Sequence, residues 1–183
     1  LKKKVFIAIG VVIAVAITLT VVFFPFIKTR LYLKDRIKGH VEILINGTQY
    51  SIDSLKYTTP TDKEETELSI ENGEFSIKGG EYGEYEFSFS IDNDIIRNHF
   101  DNISFNALPK TVLSFVYLNS NWWNITDMFF TIDIREKDGE PIVNLSVEYD
   151  ESSETYQKNE TETTEKNYIL SNENSVFELT FGL

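Results

Sequence analysis

YEFSFSI, residues 85–91, decides how the rest of the chain reads. Tyr85, Phe87, Phe89 and Ile91 alternate with Glu86, Ser88 and Ser90, a period of two that gives one apolar and one wet face. That is the signature of a half-buried strand. The same habit recurs on both sides of it. Phe75 and Ile77 flank Ser76, and Val41, Ile43 and Ile45 alternate with Glu42 and Leu44. Further on, Met128, Phe130, Ile132 and Ile134 alternate with Phe129, Thr131, Asp133 and Arg135, and Val143, Leu145, Val147 and Tyr149 with Asn144, Ser146 and Glu148. Residues 111–118 are apolar on both faces, as a central strand is, and Phe177, Leu179 and Phe181 predict a last strand. Asn46-Gly47 tolerates positive φ at both positions and predicts a tight hairpin; Lys137-Asp138-Gly139 predicts a turn between the two long runs.

About eight or nine short strands in about 140 residues, separated by Gly, Asn and Asp, predict an all-β fold: an antiparallel two-sheet β-sandwich of the Ig-like or prealbumin-like kind. The named inward positions supply well over a dozen apolar groups, each worth about 1.5 to 3 kcal/mol on burial, so the fold does not depend on a disulfide. One helical pattern interrupts the strands. Ile95, Ile96, His99 and Phe100 share a face within residues 94–100, predicting a short crossover helix between the sheets, with Leu108-Pro109 leading back into strand. Residues 150–167, DESSETYQKNETETTEKN, hold one aromatic and no aliphatic side chain, so the expectation there is a long mobile hairpin loop between strands at 141–149 and 168–170.

The stretch from Gly73 through Glu74, Phe75, Ser76, Ile77, Lys78 and Gly79 to Gly80, followed by Gly83, Glu84, Tyr85, Glu86 and Phe87, pairs a glycine turn and an alternating strand with a glycine-x-tyrosine entry to the next. It resembles the strand pair of prealbumin-like sandwiches such as carboxypeptidase regulatory-like domains, over about 20 residues. With the uncharged apolar run at residues 5–27 ahead of the strands, the whole arrangement also resembles small membrane-anchored proteins of Gram-positive bacteria. The resemblance implies a two-sheet sandwich and carries no functional residue with it.

Ahead of the strands, residues 5–27 read VFIAIGVVIAVAITLTVVFFPFI, with no charge and only Thr18 and Thr20 as polar side chains. As a helix this run reaches about 34 Å, enough to cross a hydrocarbon core of about 30 Å. Pro25 lies near its end. A cleaved signal peptide is the competing reading, because Lys2, Lys3 and Lys4 form an n-region. Cleavable apolar cores run about 7 to 15 residues, however, and no small-x-small site follows here. The run exits instead into Lys28, Arg30, Lys34, Arg36 and Lys38, the flank of an uncleaved anchor and an electrostatic foot for anionic lipid headgroups. Strictly counted, those five basic residues outnumber the three lysines and terminal amine before the run and favour the opposite orientation. The short tail leading into an apolar run matches a secretory start, so the expected layout is a cytoplasmic tail at 1–4, a transmembrane helix at 5–27, a basic juxtamembrane linker at 28–39 and an acidic, extracytoplasmic sandwich at 40–183. Gly10, Ala14 and Thr18 form a small-residue stripe that permits self-association of the helix.

Charge is divided sharply along the chain. Of 17 basic and 29 acidic residues, residues 1–38 hold eight basic and one acidic, leaving nine basic and 28 acidic beyond. Nucleic acid is excluded as a partner by that acidity. Zero cysteines exclude disulfides, thiolate metal sites and thiol catalysis. Catalysis has little to work with: His40 opens the first strand, and His99 near Asp101 has no Gly-x-Ser-x-Gly elbow, His-Glu-x-x-His pair or phosphate loop beside it. Asp92, Asp94 and Asp101 invite calcium, but Ile96 and Arg97 occupy the fifth and sixth places of an EF-hand loop, and helix capping explains the acids equally well. No cofactor or metal is expected. Trp122-Trp123, bracketed by Asn121 and Asn124, are the strongest candidates for ligand binding, since exposed indoles stack on sugars or anchor a protein partner while asparagines hydrogen-bond; plugging the sandwich end is the alternative role. Sequons begin at Asn46, Asn102, Asn124, Asn144 and Asn159, and would matter in a eukaryotic host, against which the Lys-, Asn- and Ile-rich composition argues. The expected function is a single-pass, membrane-anchored, non-enzymatic binding or structural module, with a glycan-binding module or an accessory subunit of a membrane complex as alternatives.

Overall fold

A computed structural model describes residues 37–79, 81–100, 109–119, 124–153, 158–171 and 174–182, the side chains of 124–126, 151–153 and 158–160 excepted. The fold is all-β, two mixed sheets stacked as a sandwich. Strands β1 (Ile37–Ile45), β2 (Thr48–Tyr50), β5 (Glu74–Ile77), β8 (Asn124–Lys137), β9 (Glu140–Ser153) and β10 (Lys158–Ile169) form one sheet in the order β10-β9-β8-β1-β2, with β5 sharing the β2 edge of β1. Strands β3 (Ser54–Thr58), β4 (Thr66–Ser69), β6 (Gly83–Asp92), β7 (Lys110–Asn119) and β11 (Val176–Phe181) form the other, in the order β11-β7-β6-β3-β4. A single helix among the described residues, α1 (Asn93–Arg97), joins β6 to β7.

The expected alternation sets the faces throughout. Along β1 every odd residue from Ile37 to Ile45 is buried, and Tyr85, Phe87, Phe89 and Ile91 of β6 are at most 1% exposed. Three two-residue turns keep the hairpins in register. Asn46-Gly47, Asn72-Gly73 and Asp138-Gly139 all have positive φ at both positions, the geometry whose twist matches flanking strands. Lys137 therefore pairs with Glu140 rather than sitting inside the turn.

Four expectations are corrected. The sandwich is not purely antiparallel: β1 runs parallel to β8 from Lys38↔Asp127 to Ile45↔Ile134, and β11 runs parallel to β7. A period of two fixes which face a side chain takes; direction depends on the end at which the chain re-enters a sheet. Second, α1 is no crossover between sheets, because β6 and β7 are antiparallel neighbours. It caps their shared end, where the Thr111 hydroxyl donates to the Asn93 side-chain oxygen at 2.6 Å with both residues buried. Third, most of the expected loop at 150–167 is strand: β10 pairs with β9 from Lys158↔Ser153 to Ile169↔Ile142. An edge strand needs its backbone satisfied on one side only, and threonines favour extended backbone while Glu and Lys project into water. Fourth, the folded body starts earlier than residue 40, since Ile37 is core and Lys38 and Gly39 are already paired. Residues 5–27, with the expected membrane helix, lie outside the described residues. Among those described, no helix is long and apolar enough to cross a membrane.

Phe130 of β8 sits at the centre of the core. Its ring lies 4.8 Å from Phe115, 5.4 Å from Phe87 and 5.9 Å from both Phe75 and Phe89, with Phe181 at 6.3 Å. Those rings come from both sheets. Gly39 beneath Phe75 is required by this packing, for a Cβ there would stand 2.1 Å from the Phe75 ring. The sandwich is closed on one side where the ring of Tyr168 of β10 packs tilted against Phe177, centroids 5.2 Å apart, and its hydroxyl donates to the Glu178 carbonyl.

Adjacent positions of β8 therefore respond oppositely to truncation. Phe130→Ala is expected to lower unfolding free energy by about 3–5 kcal/mol, whereas Phe129→Ala, facing water, changes it by less than about 0.5 kcal/mol. Urea midpoints at unchanged slope measure both, and equal losses would contradict this facing.

Candidate functional site

Alternation that buries Gly39, Phe75 and Met128 turns their neighbours outward: Lys38 and His40 of β1, Glu74 and Ser76 of β5, Asp127 and Phe129 of β8. Pairing register lines up Glu74, His40, Phe129 and Glu148 as one row across four strands, and Ser76, Lys38 and Asp127 as the next. Over them lies a depression of about 570 Å³, completed by Ser69, Glu71 and Asn72 where the chain passes from β4 to β5.

Phe129 is the unusual member. It is 54% exposed, between Met128 and Phe130 at 1% each. Its ring lies 5.1 Å from the His40 imidazole, tilted by 42°. The imidazole also lies against the Asn72-Gly73 turn, whose glycine has no room for a Cβ: one there would meet the Val41 carbonyl at 2.9 Å and His40 Cε1 at 3.0 Å. The Val41 N–H donates to the Gly73 carbonyl at 2.8 Å and fixes the turn beside the site. One ammonium, Lys38, faces three carboxylates, Glu71, Glu74 and Asp127. An exposed ring rimmed by carboxylates suits non-covalent recognition of cationic groups.

The acid-base and metal candidates do not assemble into such a site. His99 Nδ1 lies 2.8 Å from the Ile95 carbonyl, Asp94 pairs with Arg97, and Asp92 lies 3.7 Å from Lys110. Asp101 lies outside the described residues. Among those described, no group of three or more His, Asp or Glu is arranged to hold a metal ion. Trp122, Trp123 and Asn121 also lie outside them, as do Lys28, Arg30, Lys34 and Arg36. Asn124 opens β8, and Lys38 is an exposed residue of β1 rather than part of a linker. Of the sequons, Asn46 donates from its side chain to the His99 carbonyl at 3.0 Å and Asn144 to the Asn167 side chain at 3.0 Å; Asn102 falls outside.

Alternation along residues 128–134 marks Phe129 as outward-facing without distinguishing it from its polar neighbours. The signal was there. Three consecutive large apolar residues, Met128-Phe129-Phe130, cannot all face one core from an extended strand, so one ring must meet water. What brought His40 and Glu74 to it was strand pairing, which the sequence does not display.

No family model, curated protein or solved structure matches the chain.

Away from the depression, Lys56 of β3 donates to Glu65 at 2.6 Å, and that hydrogen bond, reinforced by the carboxylate charge, raises its pKa above the ordinary lysine value. A raised pKa stabilises the folded state below the unfolded value of about 10.4 and loses that contribution as pH climbs through the folded one. Glu65→Gln should return the Lys56 amine to ordinary titration, followed by NMR of the side-chain nitrogen; an unchanged midpoint would show that the pair does not persist in solution.

Proposed function

We propose that the chain is a single-pass membrane protein displaying its acidic β-sandwich outside the cytoplasmic membrane as a non-enzymatic binding or structural module. The observation that carries this is the 23-residue uncharged run at 5–27, ending ten positions before a folded body that starts at Ile37. Ten residues reach at most about 33–36 Å, so such an anchor would hold the sandwich within about one domain diameter of the bilayer. Strand direction supports one end of the sandwich as the membrane-proximal one. β1 enters at Ile37, and its parallel neighbour β8 begins at the same end. The acidic surface opposes adsorption to anionic lipid, while the basic residues at 28–38 attract it. Display on a short stalk follows from those two opposing tendencies.

A second reading is a glycan-binding module using Trp122 and Trp123 with Asn121 and Asn124, favoured by two indoles and Asn121 falling in the connection from β7 to β8, with Asn124 at the start of β8. An accessory subunit of a membrane complex is compatible with the anchor, and the Gly10, Ala14 and Thr18 stripe would permit self-association of the helix.

Protease added to intact cells should degrade residues 39–183 and spare them only when the outer surface is inaccessible; full protection until lysis would overturn the placement. For the glycan reading, cell-wall or polysaccharide fragments should shift tryptophan emission in a saturable way, and a silent titration ends it.

A further inference from the structure

The depression over β5, β1 and β8 starts where the described chain starts. Ile37 opens β1 and Lys38 already lines the wall. Directly upstream come Lys28, Arg30, Lys34 and Arg36, with Asp35 as the one acid among them. The wall has the opposite sign: Glu71, Glu74 and Asp127 outnumber Lys38, and Phe129 presents more than half of its surface. Ammonium and guanidinium groups settle on such a ring face, and neighbouring carboxylates add attraction.

We propose that this depression is the docking site of the chain's own basic juxtamembrane segment, residues 28–36. Charge complementarity and chain length both argue for that occupant over an unrelated one. Covalent attachment supplies the segment at high effective concentration, with no partner to recruit. Nine residues span at most about 32 Å when extended. The wall lies much closer, since Glu74 pairs with His40, Ser76 with Lys38 and Asp127 with Lys38 across neighbouring strands about 4.8 Å apart. A reversal of the chain just ahead of Ile37 lays the segment over its own first strand, where its cations neutralise the carboxylates. The docked state holds the face bearing His40 and Phe129 toward the anchor. The proposal goes beyond display on a stalk by fixing which face is covered, and it concerns residues 28–38 and the sandwich alone, so it is separable from the orientation read by protease.

The absence of cysteine makes introduced pairs unambiguous. Full-length chain carrying Tyr32→Cys with Ser76→Cys, in phosphatidylcholine nanodiscs, is treated with a short thiol–thiol crosslinker and compared with Tyr32→Cys plus Ser90→Cys, whose second site is exposed on the other sheet. Docking predicts a yield for the first pair about fivefold or more above the second, falling toward it when salt is raised to about 1 M, where the screening length shrinks to about 3 Å. The Glu71→Gln, Glu74→Gln, Asp127→Asn combination should lower it likewise. The salt arm needs no change in the wall, so a folding defect in the charge variant leaves the test intact. Equal yields from the two pairs, the result if lipid headgroups hold the segment instead, would overturn the proposal, as would a high yield indifferent to salt.

Discussion

The packing of Phe130 against rings from both sheets, stacked on Phe75 and tilted or edge-on to the others, is the contact on which the remaining architecture depends. Aromatic pairs at such distances add attraction beyond their buried area, and they tolerate little displacement. Phe87, Phe89 and Phe115 come from the sheet opposite β8, and Phe75 from β5 on its own sheet. Fixing Phe130 fixes the rotation of β8, and that rotation alone points Phe129 into water. The exposed ring of the candidate site is thus a by-product of core packing that strand pairing turned into a surface feature, by setting His40 beside it.

Much of the fold was legible because burial in a sheet obeys a simple rule. Every alternating residue named along β1, β6, β8, β9 and β11 faces as its period demands, and Asn46-Gly47 turns where a positive-φ pair must. The illegible parts share a physical cause: they depend on neighbours remote in sequence. Parallel pairing of β1 with β8 leaves no mark on either strand, because the hydrophobic pattern is the same for both directions. β10 shows the other limit. Its threonines, glutamates and lysines contain no core signal, yet β9 satisfies its backbone across twelve paired positions. Absence of a core-facing stripe excludes a helix or a central strand and says nothing against an edge.

The candidate site was less legible than the fold. Tryptophans and basic residues stand out by type, whereas the depression is assembled from ordinary residues, Glu71, Glu74, Asp127 and Lys38, that matter only through their register. A serine or glutamate in an alternating strand signals only a wet face. Which wet residues share a concavity is decided by the β4-to-β5 passage and the tight turn at Asn72-Gly73, whose shape the sequence implies but whose location against β1 it does not.

The first strand is held between partners of very different kinship. On one side β2 and β5 belong to nearby chain; on the other, Lys38 waits for Asp127, whole strands later in synthesis. Until that late segment has emerged, the six-stranded layer lacks its middle and Ile43 and Ile45 have only half a shelter. Assembly is therefore governed by a distant closure, slow by nature, and a chain emerging in order from its amino terminus must remain unfinished, exposing sticky surface, until most of its length has been made.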